Sequence, residues 1–140
     1  MKKPITKKLI NDLTYKIIGS AIEVHKILGP GLLESNYEEA LIYELESRGL
    51  NVKSQQKVKV PYKNIFLNCE LRYDILVEDL IVVENKAVLL MHPIFYTITM
   101  TYMKHLKAPK GIIINFHVDN IFKEGQKTFV NEYFAALPDE

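Results

Sequence analysis

Apolar residues in the first third of the chain recur every three or four positions, which is the spacing of one face of an α-helix. From about Thr6 to Leu28 they form a single stripe, made by Leu9, Leu13, Ile17, Ala21, Val24 and Leu28. Gly29-Pro30-Gly31 ends this helix, because proline cannot continue it and glycine accepts a positive φ. A second helix is predicted from about Leu33 to Arg48, with Gly49 as its C-terminal cap.

Beyond the second helix the apolar pattern changes to that of β-strands. Val58 and Val60 alternate with lysines and lead to Pro61, which predicts a short strand near a sheet edge. Two apolar runs follow, Leu71 to Val77 and Leu80 to Ala87. The short polar gap between these runs indicates a β-hairpin.

The rest of the chain combines helical and strand patterns. Lys110 to Phe116 is a continuous apolar run, expected of a strand that is covered on both faces. The β-branched and aromatic residues of Pro93 to Leu106 favour a strand, but a proline suits a helix start and a helix would bridge the flanking strands, so we predict a helix. Phe122 to Leu137 is predicted to form a last short strand and helix. This order predicts one domain over residues 1–140, of the α/β or α+β class.

Composition narrows the class of protein. Hydrophobic residues make up 48% of the 140 residues and charged residues 25%, which is typical of a globular domain. The single cysteine, Cys69, excludes an intramolecular disulfide and suits a reducing compartment. No long apolar run follows the basic N-terminus, so we predict neither a signal peptide nor a membrane span and expect a cytoplasmic protein.

The net charge of +1 lacks the basic excess that many nucleic-acid-binding proteins carry. Lysines are nevertheless concentrated in two stretches, 53–63 and 104–110. We interpret both first as solvated surface lysines, with a local nucleic-acid-binding patch as the alternative.

The most informative residues are charged side chains inside the two strands of the predicted hairpin. Asp74 lies in the first strand, and Glu84 and Lys86 lie in the second. Residues two apart on a strand share a face, so Glu84 and Lys86 point the same way. If the hairpin loop has two residues, Asp74 faces away from Glu84. If the loop has three residues, Glu78 to Leu80, Asp74 and Glu84 pair on one face.

Two carboxylates on one face suit a hard divalent cation such as Mg²⁺. Such an ion lowers the pKa of bound water and neutralises charge on a phosphodiester, and a neighbouring lysine can orient the attacking water or act as a base. The alternative is structural: Lys86 forms a half-buried ion pair with one of the carboxylates. Strand chemistry alone leaves both interpretations open.

A longer motif lies at the start of the second predicted helix. The segment Gly31-Leu-Leu-Glu34-Ser-Asn-Tyr37 resembles the signature of the GxxExxY family, a branch of the PD-(D/E)XK nuclease superfamily. The segments on either side of this motif, 21–31 and 37–41, resemble that family too. So do three predicted strand segments, which follow in the family's order and extend the resemblance over most of the chain: 72–77, 82–88 and 111–116.

The resemblance implies a restriction-endonuclease-like core, in which a mixed central β-sheet is flanked by helices. Asp74 and Glu84 correspond to the metal ligands, and Lys86 corresponds to the catalytic lysine. Glu34 on the preceding helix would contact metal-bound water or hold Lys86. The main-chain carbonyl of Asn85 would be a further ligand of the metal.

Two features qualify the resemblance. Tyr37, one turn beyond Glu34, is expected to pack or orient rather than react. The family usually carries His-x-x-Gln-x-x-x-Tyr on the helix after the lysine strand, but alignment on Tyr102 places Phe95 and Ile98 at the first two positions. Because a polar residue on this helix helps related nucleases to arrange the site or contact DNA, we expect less efficient cleavage with intact metal ligands.

Three functional hypotheses follow. The leading one is a Mg²⁺- or Mn²⁺-dependent nuclease that hydrolyses DNA phosphodiester bonds, in which Lys86 and Glu34 support the attacking water. The second is a weak or inactive nuclease-fold module that binds nucleic acid or a partner protein. The third is a small structural or dimerisation domain with an ion-pair network, and the sequence is compatible with a homodimer. Substrate form and specificity are not encoded in a recognisable pattern.

Overall fold

A computed structural model describes residues 4–140, and its first two helices match the sequence prediction. Helix α1 spans Lys7–Leu28 and begins after Thr6, whose hydroxyl accepts a hydrogen bond from the Leu9 amide at 3.0 Å. Helix α2 spans Glu34–Ser47. The Gly29-Pro30-Gly31 segment separates the two helices, as its proline and glycines predict.

The remaining elements form a mixed sheet with a crossover helix. The strands are β1 (Val52–Ser54), β2 (Pro61–Tyr62), β3 (Ile65–Phe66), β4 (Ile75–Val77), β5 (Ile81–Lys86), β6 (Lys110–Asn115) and β7 (Gln126–Val130), and the helices are α3 (Ile94–Leu106) and α4 (Glu132–Ala135). The central sheet has the order β1-β4-β5-β6-β7, in which β5 and β6 are parallel and every other pair is antiparallel. Strands β2 and β3 form a separate small hairpin.

The segment Pro93 to Leu106, whose residues favoured both a strand and a helix, forms the predicted helix as α3. Strands β5 and β6 run parallel, so the chain must cross over the sheet between them, and a helix does this. This requirement of the topology overrides the strand propensity of the β-branched and aromatic residues in α3. The predicted last strand and helix also form, as β7 and α4.

The first predicted strand was wrong in position. The sheet begins with β1 at Val52–Ser54, whereas Val58 lies in a segment that joins the residues before β4 through the Lys57–Arg72 bridge. In this bridge the Val58 amide donates to the Leu71 carbonyl and the Tyr73 amide donates to the Gln56 carbonyl. The strand predicted for Leu71 to Val77 is also shorter than expected, because β4 begins at Ile75. The ladder is interrupted because Gln55 has a left-handed φ of 52° and the Asp74 amide donates to the Glu84 side chain instead of a main-chain carbonyl of β5.

Hydrophobic residues on the two faces of the sheet pack against different helices. One cluster joins Ile17 of α1 and Leu41 of α2 to strand residues that include Ile75, Val83 and Ile112. A second cluster joins α3 to the opposite face through Leu76, Val82, Tyr102 and Met103. The result is a mixed α/β arrangement with the five-stranded sheet between helical layers, the architecture of a restriction-endonuclease-like fold. Within residues 4–140, no helix is long and apolar enough to cross a membrane.

Two buried asparagines on adjacent strands differ in their hydrogen bonding. Asn115 on β6 accepts from the amides of Val88 and His117, and its Nδ2 donates to the Val88 carbonyl. Asn85 on β5 has an exposed fraction of 0%, and among the described residues neither Oδ1 nor Nδ2 of its side chain has a hydrogen-bond partner. A buried amide without partners keeps its desolvation cost, so Asn85 lowers the stability of β5.

We therefore expect opposite effects from the same substitution on the two strands. Asn85→Leu should raise the free energy of unfolding by roughly 1–2 kcal/mol, because it replaces an unpaired amide with an apolar side chain of similar size. Asn115→Leu should lower it by roughly 1–3 kcal/mol, because it leaves three main-chain groups unpaired. Urea denaturation measures both, and equal destabilisation by the two variants would refute this account of Asn85.

Candidate functional site

The register of the β4–β5 hairpin brings Asp74 and Glu84 together. Ile75 pairs with Val83 and Val77 pairs with Ile81, so the connecting loop has three residues, 78–80. The same register places Asp74 opposite Glu84, which is the arrangement that the metal-site hypothesis required. The Asp74 amide donates to Glu84 Oε2 at 2.7 Å.

A reciprocal hydrogen bond holds the Asp74 carboxylate. The main-chain amide of Asn85 donates to Asp74 Oδ2 at 2.8 Å, while the Asp74 amide donates to Glu84. Each carboxylate thus accepts from the backbone of the other strand, and one oxygen of each is fixed. Glu84 is 5% exposed, so this pair is held in a site with little water.

Lys86 lies between a carboxylate and an aromatic ring. Its Nζ is 3.7 Å from Glu34 Oε1, which comes from the first turn of α2. The same Nζ is 4.5 Å from the centre of the Phe95 ring on α3. An ammonium over a ring face is stabilised by about 0.5–2 kcal/mol, depending on desolvation. The structure therefore brings together all four predicted residues, Glu34, Asp74, Glu84 and Lys86.

Phe95 and Ile98 occupy the positions at which the resemblance to the GxxExxY family implies polar residues. Phe95 nevertheless contacts the site, because its ring lies beneath the Lys86 ammonium. Ile98 packs instead against the hydrophobic cluster between α3 and the sheet. Of these two residues, Phe95 thus places an aromatic ring against Lys86, and Ile98 extends the core.

Tyr37 positions the helix that carries Glu34. It is fully buried and its ring stacks on Phe116, with centroids 4.5 Å apart and planes within 2°. Its hydroxyl donates to the Gly29 carbonyl and accepts from the Leu32 amide, which ties down the loop before α2. The packing and orienting role predicted for Tyr37 is confirmed.

Two residues near Asp74 were missed in the sequence. Gln55 Nε2 donates to both carboxylate oxygens of Glu38, at 2.8 and 3.1 Å, and lies 3.3 Å from Asp74 Oδ1. Glu38 follows Glu34 by four residues and so shares its helix face, a spacing that was visible in the sequence. The sequence gave no such signal for Gln55, because the direction of its side chain depends on its own left-handed φ between β1 and the β2–β3 hairpin.

The electrostatics of the site follow from four carboxylates that lie close together, three of them near the Lys86 ammonium. Burial, reinforced by the charge of Asp74, raises the pKa of Glu84 to about 8. Burial also raises the pKa values of Asp74, Glu34 and Glu38, and Lys86 offsets this only in part for Asp74 and Glu34. Ionising these groups together in a low-dielectric site is unfavourable unless a cation is present.

The donor set fits a hard divalent cation with few protein ligands. Within residues 4–140, no group of three or more His, Cys, Asp and Glu side chains is arranged to hold a metal ion. Asp74 and Glu84 supply carboxylate oxygens, which Mg²⁺ prefers, and Mg²⁺ commonly keeps several water ligands. The pair therefore suits a site completed by water and substrate, and does not suit a closed cage of side chains.

Comparison with known families identifies the superfamily of the chain. The profile of the PD-(D/E)XK nuclease superfamily matches residues 11–129, a range that includes Glu34, Asp74, Glu84 and Lys86. No curated protein and no solved structure matches the chain. The GxxExxY branch stays a prediction, since the match is to the superfamily. The chain belongs to the PD-(D/E)XK nuclease superfamily.

Proposed function

We propose that this protein, as a GxxExxY-type member of its superfamily, is a Mg²⁺- or Mn²⁺-dependent nuclease that hydrolyses phosphodiester bonds in DNA. The observation that supports this best is the pairing of Asp74 with Glu84 beside Lys86. The Asp74 amide lies 2.7 Å from Glu84 Oε2, and Glu84 is held in a site that disfavours its ionised form without a cation. Such an arrangement costs stability and is typical of a functional site.

Asp74, Glu84 and the main-chain carbonyl of Asn85 would hold the metal ion. When bound, the ion would supply charge neutralisation at the phosphate and lower the pKa of a water molecule. Gln55 would keep the Asp74 carboxylate in place through its bonds to Asp74 and Glu38. The reciprocal bonds between Asp74, Glu84 and the Asn85 amide would limit rotation of both ligands.

Lys86 would act directly on the substrate. Its ammonium donates hydrogen bonds, so it can hold a phosphate oxygen or the attacking water and stabilise negative charge in the transition state. Glu34 and the Phe95 ring would fix the position of Nζ from two sides. In this role Glu34 and Phe95 are positioning residues.

A second candidate is a module of the same fold that binds nucleic acid or a partner protein without cleaving. The specific observation in its favour is the apolar character of Phe95 and Ile98, where the family usually has polar residues. Neither substitution touches Asp74 or Glu84, so the nuclease proposal remains the better supported of the two.

Cleavage separates the two candidates. With Mg²⁺ or Mn²⁺ and a set of single-stranded, double-stranded and branched DNA substrates, the wild-type protein should yield products that EDTA abolishes. Lys86→Ala should lower the cleavage rate by about 100-fold or more, because it removes the group that contacts water or phosphate. Lys53→Ala is the matched control, since Lys53 also pairs with a carboxylate, Asp79, but lies outside the site.

Either of two results would contradict the nuclease proposal. Products that form equally fast with Lys86→Ala would exclude the proposed site as their source. Salt-sensitive DNA binding by the wild-type protein, without products on any substrate and with either metal, would favour the binding module.

The raised pKa of Glu84 predicts an unusual pH dependence of stability. Between the ordinary pKa of a glutamate and about 8, the folded protein holds a proton on Glu84 that the unfolded chain has released. Stability of the metal-free protein should therefore fall as pH rises from about 5.5 to about 7.5, by at most about 1.4 kcal/mol per pH unit from this group.

Thermal unfolding of the metal-free protein across this pH range measures the effect. Glu84→Gln should flatten the dependence, because the amide does not titrate and its oxygen can still accept from the Asp74 amide. Equal slopes for the wild-type protein and Glu84→Gln would show that Glu84 is not the titrating group.

A further inference from the structure

We propose that residues 56–72 form a basic arm that binds an unpaired nucleic-acid strand, with bases stacked on Tyr62 and Phe66 and phosphates held by Lys59 and Lys63. This inference deepens the proposed nuclease function, on which it rests, because it names the form of nucleic acid that the site receives.

The arm begins at the candidate site and extends away from it. Next to the site, the Gln55 amide donates to the Asp74 carbonyl at 2.9 Å. The two sides of the arm are then joined by the Lys57–Arg72 bridge, by the Leu67 amide donating to Val60, and by the short strands β2 and β3. A strand of nucleic acid lying along the arm would therefore lead to Asp74.

The arm is positively charged although the chain is nearly neutral. It carries three lysines and one arginine against the single carboxylate of Glu70, a net charge of +3, so the other residues together carry −2. Lys57 pairs with Glu70 at 3.3 Å. Within the described part of the chain, Lys59 and Lys63 form no salt bridge. Their charges remain available to a polyanion.

Aromatic rings are exposed on the same arm and lie beside these lysines. Tyr62 is 54% exposed and Phe66 is 68% exposed. Lys63 Nζ lies 5.5 Å from the centre of the Tyr62 ring, and Lys59 Nζ lies 5.9 Å from the centre of the Phe66 ring. Exposed rings on a short two-stranded hairpin contribute little to folding, whereas rings beside cations are the combination that binds single strands.

The charge and the rings together favour an unpaired strand over other partners. Bases in a duplex are stacked on one another and cannot stack on a side chain, so the rings favour unpaired bases. A second copy of this chain would bring two arms of charge +3 together, and like charges oppose that contact. A phosphate backbone has the opposite charge and offers a base beside each phosphate.

Binding of a fluorescein-labelled oligothymidine, followed by anisotropy in EDTA, tests the arm without cleavage. The double variant Tyr62→Ser/Phe66→Ser should raise the Kd for the single strand by about tenfold or more, because two stacking surfaces are lost. Binding of a duplex should change far less. The matched control is Tyr15→Ser/Tyr43→Ser, which removes two rings that are 82% and 73% exposed on α1 and α2.

A lysine variant tests the electrostatic half of the proposal. Lys59→Gln/Lys63→Gln should reduce the slope of log K against log salt by about 0.7 for each lysine that contacts a phosphate. Lys16→Gln/Lys26→Gln, two exposed lysines of α1, should leave the slope unchanged. Thermal unfolding confirms that each variant is folded.

The experiments distinguish failure of the arm proposal from failure of the nuclease proposal. The arm proposal is overturned if the ring variant binds the single strand as the wild type does, if single strand and duplex lose affinity equally, or if the wild type does not bind. A change in sedimentation of the ring variant without a change in binding would assign the arm to self-association and overturn the proposal. A wild-type protein that gives no products with Mg²⁺ or Mn²⁺, but whose single-strand affinity falls in the ring variant, would contradict the nuclease proposal alone. Cleavage by the wild type, with no loss of affinity in the ring variant, would contradict the arm proposal alone.

Discussion

The pairing of β4 with β5 is the constraint on which the site depends. A loop of three residues places Val77 opposite Ile81, and the same register carries Asp74 to Glu84. A shift by one residue would turn every side chain of one strand to the other face, which would separate the two carboxylates and remove apolar residues from their packing partners on the helices. The hydrophobic packing of Leu76 and Val82 against α3 therefore fixes the chemistry as well as the fold.

The candidate site contains buried carboxylates whose ionised forms are unfavourable in the folded state. Four carboxylates lie close together, three of them near Lys86, and burial raises the pKa of each of the four. The fold tolerates this because main-chain amides and Gln55 donate to the carboxylates and because Phe95 and Glu34 hold the lysine. A divalent cation would offset the repulsion among these carboxylates, so the cost in stability and the proposed metal binding would have one origin.

Much of the fold could be predicted because the sequence patterns that identify its helices and strands involve residues close together in the chain. The apolar stripe of α1, the glycines after it and the apolar run of β6 each identify an element from neighbouring residues alone. Asp74, Glu84 and Lys86 could be identified as charged residues inside apolar strands, and Glu34 followed from the family resemblance. The contact between Asp74 and Glu84 depended on a loop length that the sequence left open. Gln55 and the true position of β1 were missed because both depend on tertiary contacts. Lys59 and Lys63, which lie over Phe66 and Tyr62, could not be distinguished in the sequence from ordinary surface lysines.

Calorimetric titration of Mn²⁺ into the protein at about pH 8, where carboxylates are ionised most readily, tests the central claim most directly. The wild-type protein should bind the ion, and Asp74→Asn should lose most of that affinity because a charged ligand becomes neutral. Asp79→Asn should bind as the wild type does, since Asp79 pairs with Lys53 on the hairpin loop outside the site. No binding by the wild type, or equal binding by Asp74→Asn, would contradict the assignment of Asp74 and Glu84 as a metal site.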